Sequence, residues 1–167
     1  MTTFVWDEYG LSALPVKERL AKCTEIIKTD KSAPKRWIAI YVTGEICYET
    51  HEHDKEIGDL MAWVCHNEKN DIVKHEACFQ IGLRNLKDHI DVLLDVAVHH
   101  RGHEISRHEA IEALGLMRAH DSHDQIKRSL DGLTYSDSIA VKQSAQFVLE
   151  LLELLKDKGE YKKGGKI

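Results

Sequence analysis

The sequence predicts an all-α fold, a HEAT-like α-solenoid of about four helical-hairpin repeats. One phrase is written twice, as Lys74-His75-Glu76-Ala77-x-x-x-Ile81-Gly82-Leu83 and Arg107-His108-Glu109-Ala110-x-x-x-Leu114-Gly115-Leu116, 33 residues apart (108 − 75). Self-similarity at a period of about 20 to 50 residues marks units that stack on one another. Apolar residues recur at helical spacing along most of the chain, and no stretch sustains the period-2 alternation of a strand, so no sheet is expected. Ala and Gly at fixed places in the repeat suit close helix packing.

Taken in order, residues 1–14 are mixed and aromatic (Phe4, Trp6, Tyr9) and read as an N-terminal arm or cap. Pro15 stands where a helix can begin, and Val16, Leu20, Cys23, Ile26 and Ile27 give residues 15–29 one apolar face. Pro34 opens a second helix with Trp37, Ile38, Tyr41, Val42 and Ile46; its phrase Arg36-Trp37-Ile38-Ala39 resembles the later copies without their His-Glu pair. A polar loop over 49–56 leads to a helix over about 57–66. Further helices are expected over about 71–84, 87–99, 105–118, 122–133 and 138–157, and a basic tail over 158–167. The last repeat, from Val141, also lacks His-Glu. The outer units therefore read as caps and the two central ones as carriers of a site.

A chain of 167 residues has the length of one domain, 1–167, and can bury a core without disulfides or metals as staples. Cys23, Cys47, Cys65 and Cys78 form no C-x-x-C and read as reduced thiols. With no apolar run long enough to span a bilayer and acidic residues near the N-terminus, the expectation is a soluble, cytoplasmic protein with no membrane partner. A net charge of −5, with basic residues clustered only in the tail, argues against a nucleic-acid partner. Gly-rich phosphate loops and the G-x-S-x-G elbow are absent. Trp37, Tyr41, Trp63 and Phe79 read as core.

Eleven histidines against three phenylalanines is the unusual feature of the composition. His103-Glu104-x-x-x-His108 is one residue too long for a zinc-protease helix, since five positions are about 500° and set the rings some 140° apart. His51, His53, His99, His100, His120 and His123 fall at loops or helix ends, where polar side chains are expected. His75 and His108 instead fall at equivalent places, in the first turn of neighbouring helices that line the inner face. Such helices pack at about 8–10 Å, so the two imidazoles can meet on one ion. Of Glu76 and Glu109, each about 100° further round its helix, one can enter the site while the other flanks it. Two histidines and a carboxylate with open positions are the ligand set of oxygen-binding non-haem ferrous sites. A competing explanation makes both pairs ordinary repeat positions whose glutamates favour a helix N-terminus.

These residues resemble a known family. Val73-Lys74-His75-Glu76-Ala77 and Ser106-Arg107-His108-Glu109-Ala110-x-Glu112-Ala113-Leu114-Gly115, with the Arg36–Gly44 and Gln143–Leu152 helices around them, are similar to deoxyhypusine hydroxylase, a HEAT-repeat enzyme with a non-haem di-iron centre. That family carries four His-Glu motifs in two halves, and this chain, with two, looks like one half. The resemblance implies that His75, His108 and Glu109 ligate one iron per chain. It implies that Glu76 lies beside the site, facing substrate or solvent, as the candidate catalytic residue. It implies a homodimer that brings two irons together, with dioxygen bound between them as peroxide. Such a protein would be an oxygen carrier, a sensor or an oxygen-activating protein; alternatively a monooxygenase acting on a lysine-derived side chain of a protein substrate. The remaining alternative is a metal-free HEAT scaffold that binds a protein partner.

Overall fold

The computed structural model describes Asp7, residues 9–117 and residues 119–157. The expected basic tail over 158–167 and residues 1–6 and 8 of the expected arm lie outside the described residues. Within these there are eight α-helices and no strand: α1 Val16–Thr29, α2 Ala33–Glu49, α3 Asp54–Asn67, α4 Asp71–Leu83, α5 Ile90–Val98, α6 Glu104–Leu116, α7 His123–Asp131 and α8 Ile139–Asp157. Helices pair in sequence as hairpins, α1 with α2, α3 with α4, α5 with α6 and α7 with α8. The second members stack in one layer in the order α2, α4, α6, α8. The fold is the expected helical solenoid.

Each stacked helix starts with a side chain that satisfies a free backbone N–H of its first turn. Ser32 accepts from Lys35 N, Asn70 from Ile72 N and Val73 N, His103 Nδ1 from Ile105 N, and Ser138 from Val141 N. The buried alanines Ala39, Ala77, Ala110 and Ala145 each lie seven residues after those caps. They set a common register in which Trp37, His75, His108 and Gln143 occupy one position, and Ile38, Glu76, Glu109 and Ser144 the next.

The core runs through all four hairpins. Ile27, Ile40, Ile57, Met61, Ile81, Leu93, Ile111, Leu114, Ile126 and Leu152 are fully buried between the two layers. Hydrogen bonds join successive stacked helices near their starts: Arg36 makes a bidentate pair with Glu68 at 2.8 and 2.9 Å, Ser106 Oγ donates to Asp71 at 2.6 Å, and Ser138 Oγ donates to Glu104 at 2.6 Å. Towards their ends, glycine replaces side chain. A Cβ on Gly82 would stand 2.7 Å from the backbone Cα of Ala113 on α6, so α4 and α6 meet almost backbone to backbone there.

Several expected boundaries shift by a turn or less. The helix expected from 87 opens as a 3-10 turn, Lys87–His89, before α5, and the one expected to 133 ends at Asp131 and gives way to a 3-10 turn, Gly132–Tyr135. Asn85, at φ 54°, turns the chain out of α4, and Leu86 N donates to Ile81 O at 3.0 Å. Among residues 7–14, Asp7 accepts from Leu11 N and Ser12 N, and Leu11 is buried in the core, so this stretch caps the first hairpin. Trp37, Tyr41, Trp63 and Phe79 are half-buried, at the margin of the core rather than within it. All four cysteines are free and buried. Among the described residues no helix is long and apolar enough to cross a membrane.

Candidate metal centre

His75 and His108 are each the fifth residue of their helix, one turn deeper than the sequence expectation of the first turn. With α4 and α6 starting at Asp71 and Glu104 and 3.6 residues to a turn, the fifth residue falls in the second turn. Depth matters here, because the fifth position places both rings beyond the fraying end and beside each other. Their centroids are 5.8 Å apart, at an interplanar angle of 38°.

Glu109, one residue on from His108, reaches across to the neighbouring helix. Its Oε2 is 3.0 Å from His75 Nε2 and 4.0 Å from His108 Nε2. One donor atom from each of the three residues lies within 4.8 Å of the others, and this is the one such cluster of three or more ligating side chains among the described residues. Glu109 is buried, whereas the His75 and His108 side chains keep 30% and 28% of their surface. The cluster therefore has a closed floor and an open mouth.

Ligands about 2.1 Å from a shared ion stand about 3.0 to 3.4 Å apart. The observed separations, all within 4.8 Å, need at most about 1.4 Å of contraction to match. The donor set, two imidazoles and a carboxylate, fits a divalent transition metal with positions left open. The tautomer of His108 also fits: its Nδ1 is 3.2 Å from Glu112 Oε1 and 3.4 Å from Ser144 Oγ, so Nδ1 donates outwards and the Nε2 lone pair faces Glu109 and His75. Ser144 Oγ in turn donates to Glu112 at 3.4 Å, which ties the arrangement to α8. The hydrogen bond to Glu109 raises the His75 pKa; burial opposes the shift, and the charges of Glu109, Glu76 and Glu112 add to it.

Over 89% of its length the chain shares its fold with human deoxyhypusine hydroxylase. The solved structure of that protein in complex with glycerol superposes with a TM-score of 0.67 at 21% sequence identity. The match takes in 48% of that chain, so this chain spans about half the length of the protein it resembles. No protein-family model and no curated protein sequence matches the chain. The likeness bears out the fold that the sequence resemblance implied.

Glu76 departs from expectation. It occupies the register position of Glu109, but its side chain is buried rather than facing solvent. The reason lies one turn along α4, where Gln80 Nε2 donates to Glu76 Oε1 at 2.8 Å. Gln80 Oε1 accepts from Arg84 Nε at 3.2 Å, and Arg84 pairs with Glu45 on α2. Gly44 makes room for this chain, since a Cβ there would fall 1.9 Å from Gln80 Oε1. Burial pushes the Glu76 pKa up; the Gln80 hydrogen bond and His75 pull it down, and the charge of Glu109 adds to the rise.

Sequence reasoning found the three clustered side chains and missed their supports. Glu112 carried a legible signal, standing four residues after His108 on the same helix face, where side chains meet. Gln80 carried the same signal, four residues after Glu76 on α4, whereas Ser144 carried none, since it acts on a residue that only the packed stack brings near. The remaining histidines stay at loops and helix ends: His51 bonds Asp54 at 3.0 Å, His103 caps α6, and His99 and His100 follow α5.

Proposed function

We propose that the chain is a non-haem iron protein that binds dioxygen, with a di-iron centre completed when two copies pair around their open His75–His108–Glu109 sites. The observation that carries this reading is the convergence of two imidazoles and one carboxylate from equivalent positions of two stacked repeats. The donor types favour ferrous iron over softer-ligand metals, and the family resemblance points to the same ion. The match takes in about half of human deoxyhypusine hydroxylase, and the described residues hold one three-ligand set, so pairing of two copies would bring two such sets together.

Iron bound there would supply electrons to dioxygen. The protein groups divide the remaining work. Glu109 holds His75 through one carboxylate oxygen, and the two would exchange the proton between them for a metal ion, so that loading would release protons. Glu112 and Ser144 fix the His108 ring. Glu76, the candidate catalytic residue, is shielded from water and orients its carboxyl through Gln80, a place suited to holding a proton beside the site rather than to gripping a substrate. That placement favours an oxygen carrier or sensor over a hydroxylase of a protein-borne, lysine-derived side chain.

The test is the iron content of protein purified without chelator, read with the molecular mass in solution. About one iron per chain, a dimeric mass, and loss of iron in His75→Ala and Glu109→Ala support the reading. A chain that takes up no iron after anaerobic incubation with ferrous ion refutes it and leaves a metal-free scaffold. Oxygen uptake that reverses on lowering oxygen pressure separates a carrier or sensor from a hydroxylase.

A further inference from the structure

The residue just before each central histidine points to the other side of the stack. In the common register Arg36, Lys74, Arg107 and Lys142 share one position, three residues before the buried alanines. Arg36 is neutralised by the two oxygens of Glu68. Arg107 has no such partner. The residue is 8% exposed, its Nε donates to Ala97 O at 3.0 Å, and among the described residues no carboxylate forms an ion pair with it. The place that Glu68 holds before α4, three residues ahead of its first residue, is taken before α6 by a cation, Arg101.

A buried guanidinium without a counter-charge is costly unless something pairs with it. The space for a pairing group exists. Arg107 lines a cavity of about 620 Å³ that opens between α3, α4, α5 and the 99–102 turn. Lys74, His66, His99 and His100 also line it, against one acidic side chain, Asp95. Gly102 leaves the turn low enough to lie on the stem of Arg107, with its would-be Cβ 3.4 Å from Arg107 Cγ, so the stem is packed in place. The cavity holds no group of three metal-ligating side chains.

We infer that this cavity is an oxyanion site that takes a phosphate group, with Arg107 as its buried anchor and Lys74 as a second cation at the wall. A planar guanidinium suits two phosphate oxygens at once, and Lys74 adds a mobile point charge. Because Lys74 and Arg107 adjoin His75 and His108 on α4 and α6, an anion here bridges the two helices that hold the candidate metal centre from behind. The site rests on its own residues and stands or falls independently of iron.

Thermal unfolding of the full chain at constant ionic strength, with sodium chloride exchanged for inorganic phosphate, tests it. A saturable rise of about 3–6 °C in Tm is expected at tenfold excess over Kd. The rise should vanish in Arg107→Met, shrink in Lys74→Met and persist in His75→Ala, which excludes an effect through iron. Phosphoserine serves as a second probe: a matching rise assigns a phosphate monoester, and a response to inorganic phosphate alone assigns the free ion. No saturable rise, an equal rise in Arg107→Met, or an equal response to acetate overturns the site. Should Arg107→Met fail to fold, an undiminished rise in Lys74→Glu overturns it as well.

Discussion

Replacing Gly82 by alanine tests how the repeat geometry sets the spacing of the candidate metal centre. The added methyl would lie 2.7 Å from Cα and Cβ of Ala113 and 3.0 Å from its carbonyl oxygen. Carbon atoms pack best at about 3.5–4.0 Å, so α4 and α6 must part by about 1 Å at that level. The obstacle is mostly backbone and cannot rotate aside, which places the cost near the upper end of overpacking, about 3 kcal/mol. Alanine recovers about 1 kcal/mol through its better helix propensity, leaving a net loss of about 2 kcal/mol. Further up the helix, the Ser106–Asp71 bond holds the starts together. A hinge there and a gap of about 1 Å eleven residues on would open the level of His75, four residues from the hinge, by about 0.4 Å (4/11 of the gap). Urea unfolding should show the stability loss, and titration of ferrous ion against a chelator should show affinity weaker by up to about tenfold. Gly132→Ala, where an added Cβ meets nothing within 4 Å, is the control. A Gly82→Ala chain as stable as wild type, with unchanged iron affinity, would refute the reasoning.

Other consequences can be measured directly. Glu112→Gln, which keeps shape but weakens the hold on His108 Nδ1, should lower iron affinity about 10- to 100-fold with little change in unfolding, measured by the same chelator competition. At Glu68, burial raises the carboxylate pKa, but the Arg36 hydrogen bond and the N–H groups of Asn70 and Lys69 more than offset it, so the pKa is lowered overall. Its contribution is therefore present above the unfolded-state value, about 4.5, and lost as pH falls through the folded value. Glu68→Gln should destabilise the chain by about 2–4 kcal/mol at pH 7 and much less near pH 3, read from urea midpoints at each pH. Burial pushes the Cys23 and Cys47 thiols up to about 11 and about 12. Both should resist iodoacetamide at pH 8 in the native chain and react fully in urea, as peptide mass spectrometry would report.

The helical stack was legible because its signals are local and periodic. Pro15 and Pro34 mark helix starts, and the buried Ala39, Ala77, Ala110 and Ala145 repeat at one register position. His75 and His108 were legible for the same reason, being one position of one repeat. What the repeat could not reveal is how two identical words differ in use. Glu76 and Glu109 share a register position, yet Gln80 on α4 draws Glu76 inwards, whereas the residue in that place on α6 is Ala113, with nothing to offer a carboxylate. Glu109 turns instead to His75. The His108 clamp was hidden because half of it, Ser144, belongs to another hairpin. The depth of both histidines was misjudged although the expected starts, 71 and 105, lie within a residue of the observed ones, because the fifth residue of a helix already belongs to its second turn.

The pins on either side of the histidines bear on redox chemistry. With α4 and α6 held by Ser106–Asp71 before the rings and by the Gly82–Ala113 contact after them, the two helices form a frame of set width. Were an ion held there to gain or lose an electron, the adjustment of its bond lengths would fall to the imidazole and carboxylate groups of His75, His108 and Glu109 rather than to the backbone of this frame. Reorganisation would then be confined to three side chains.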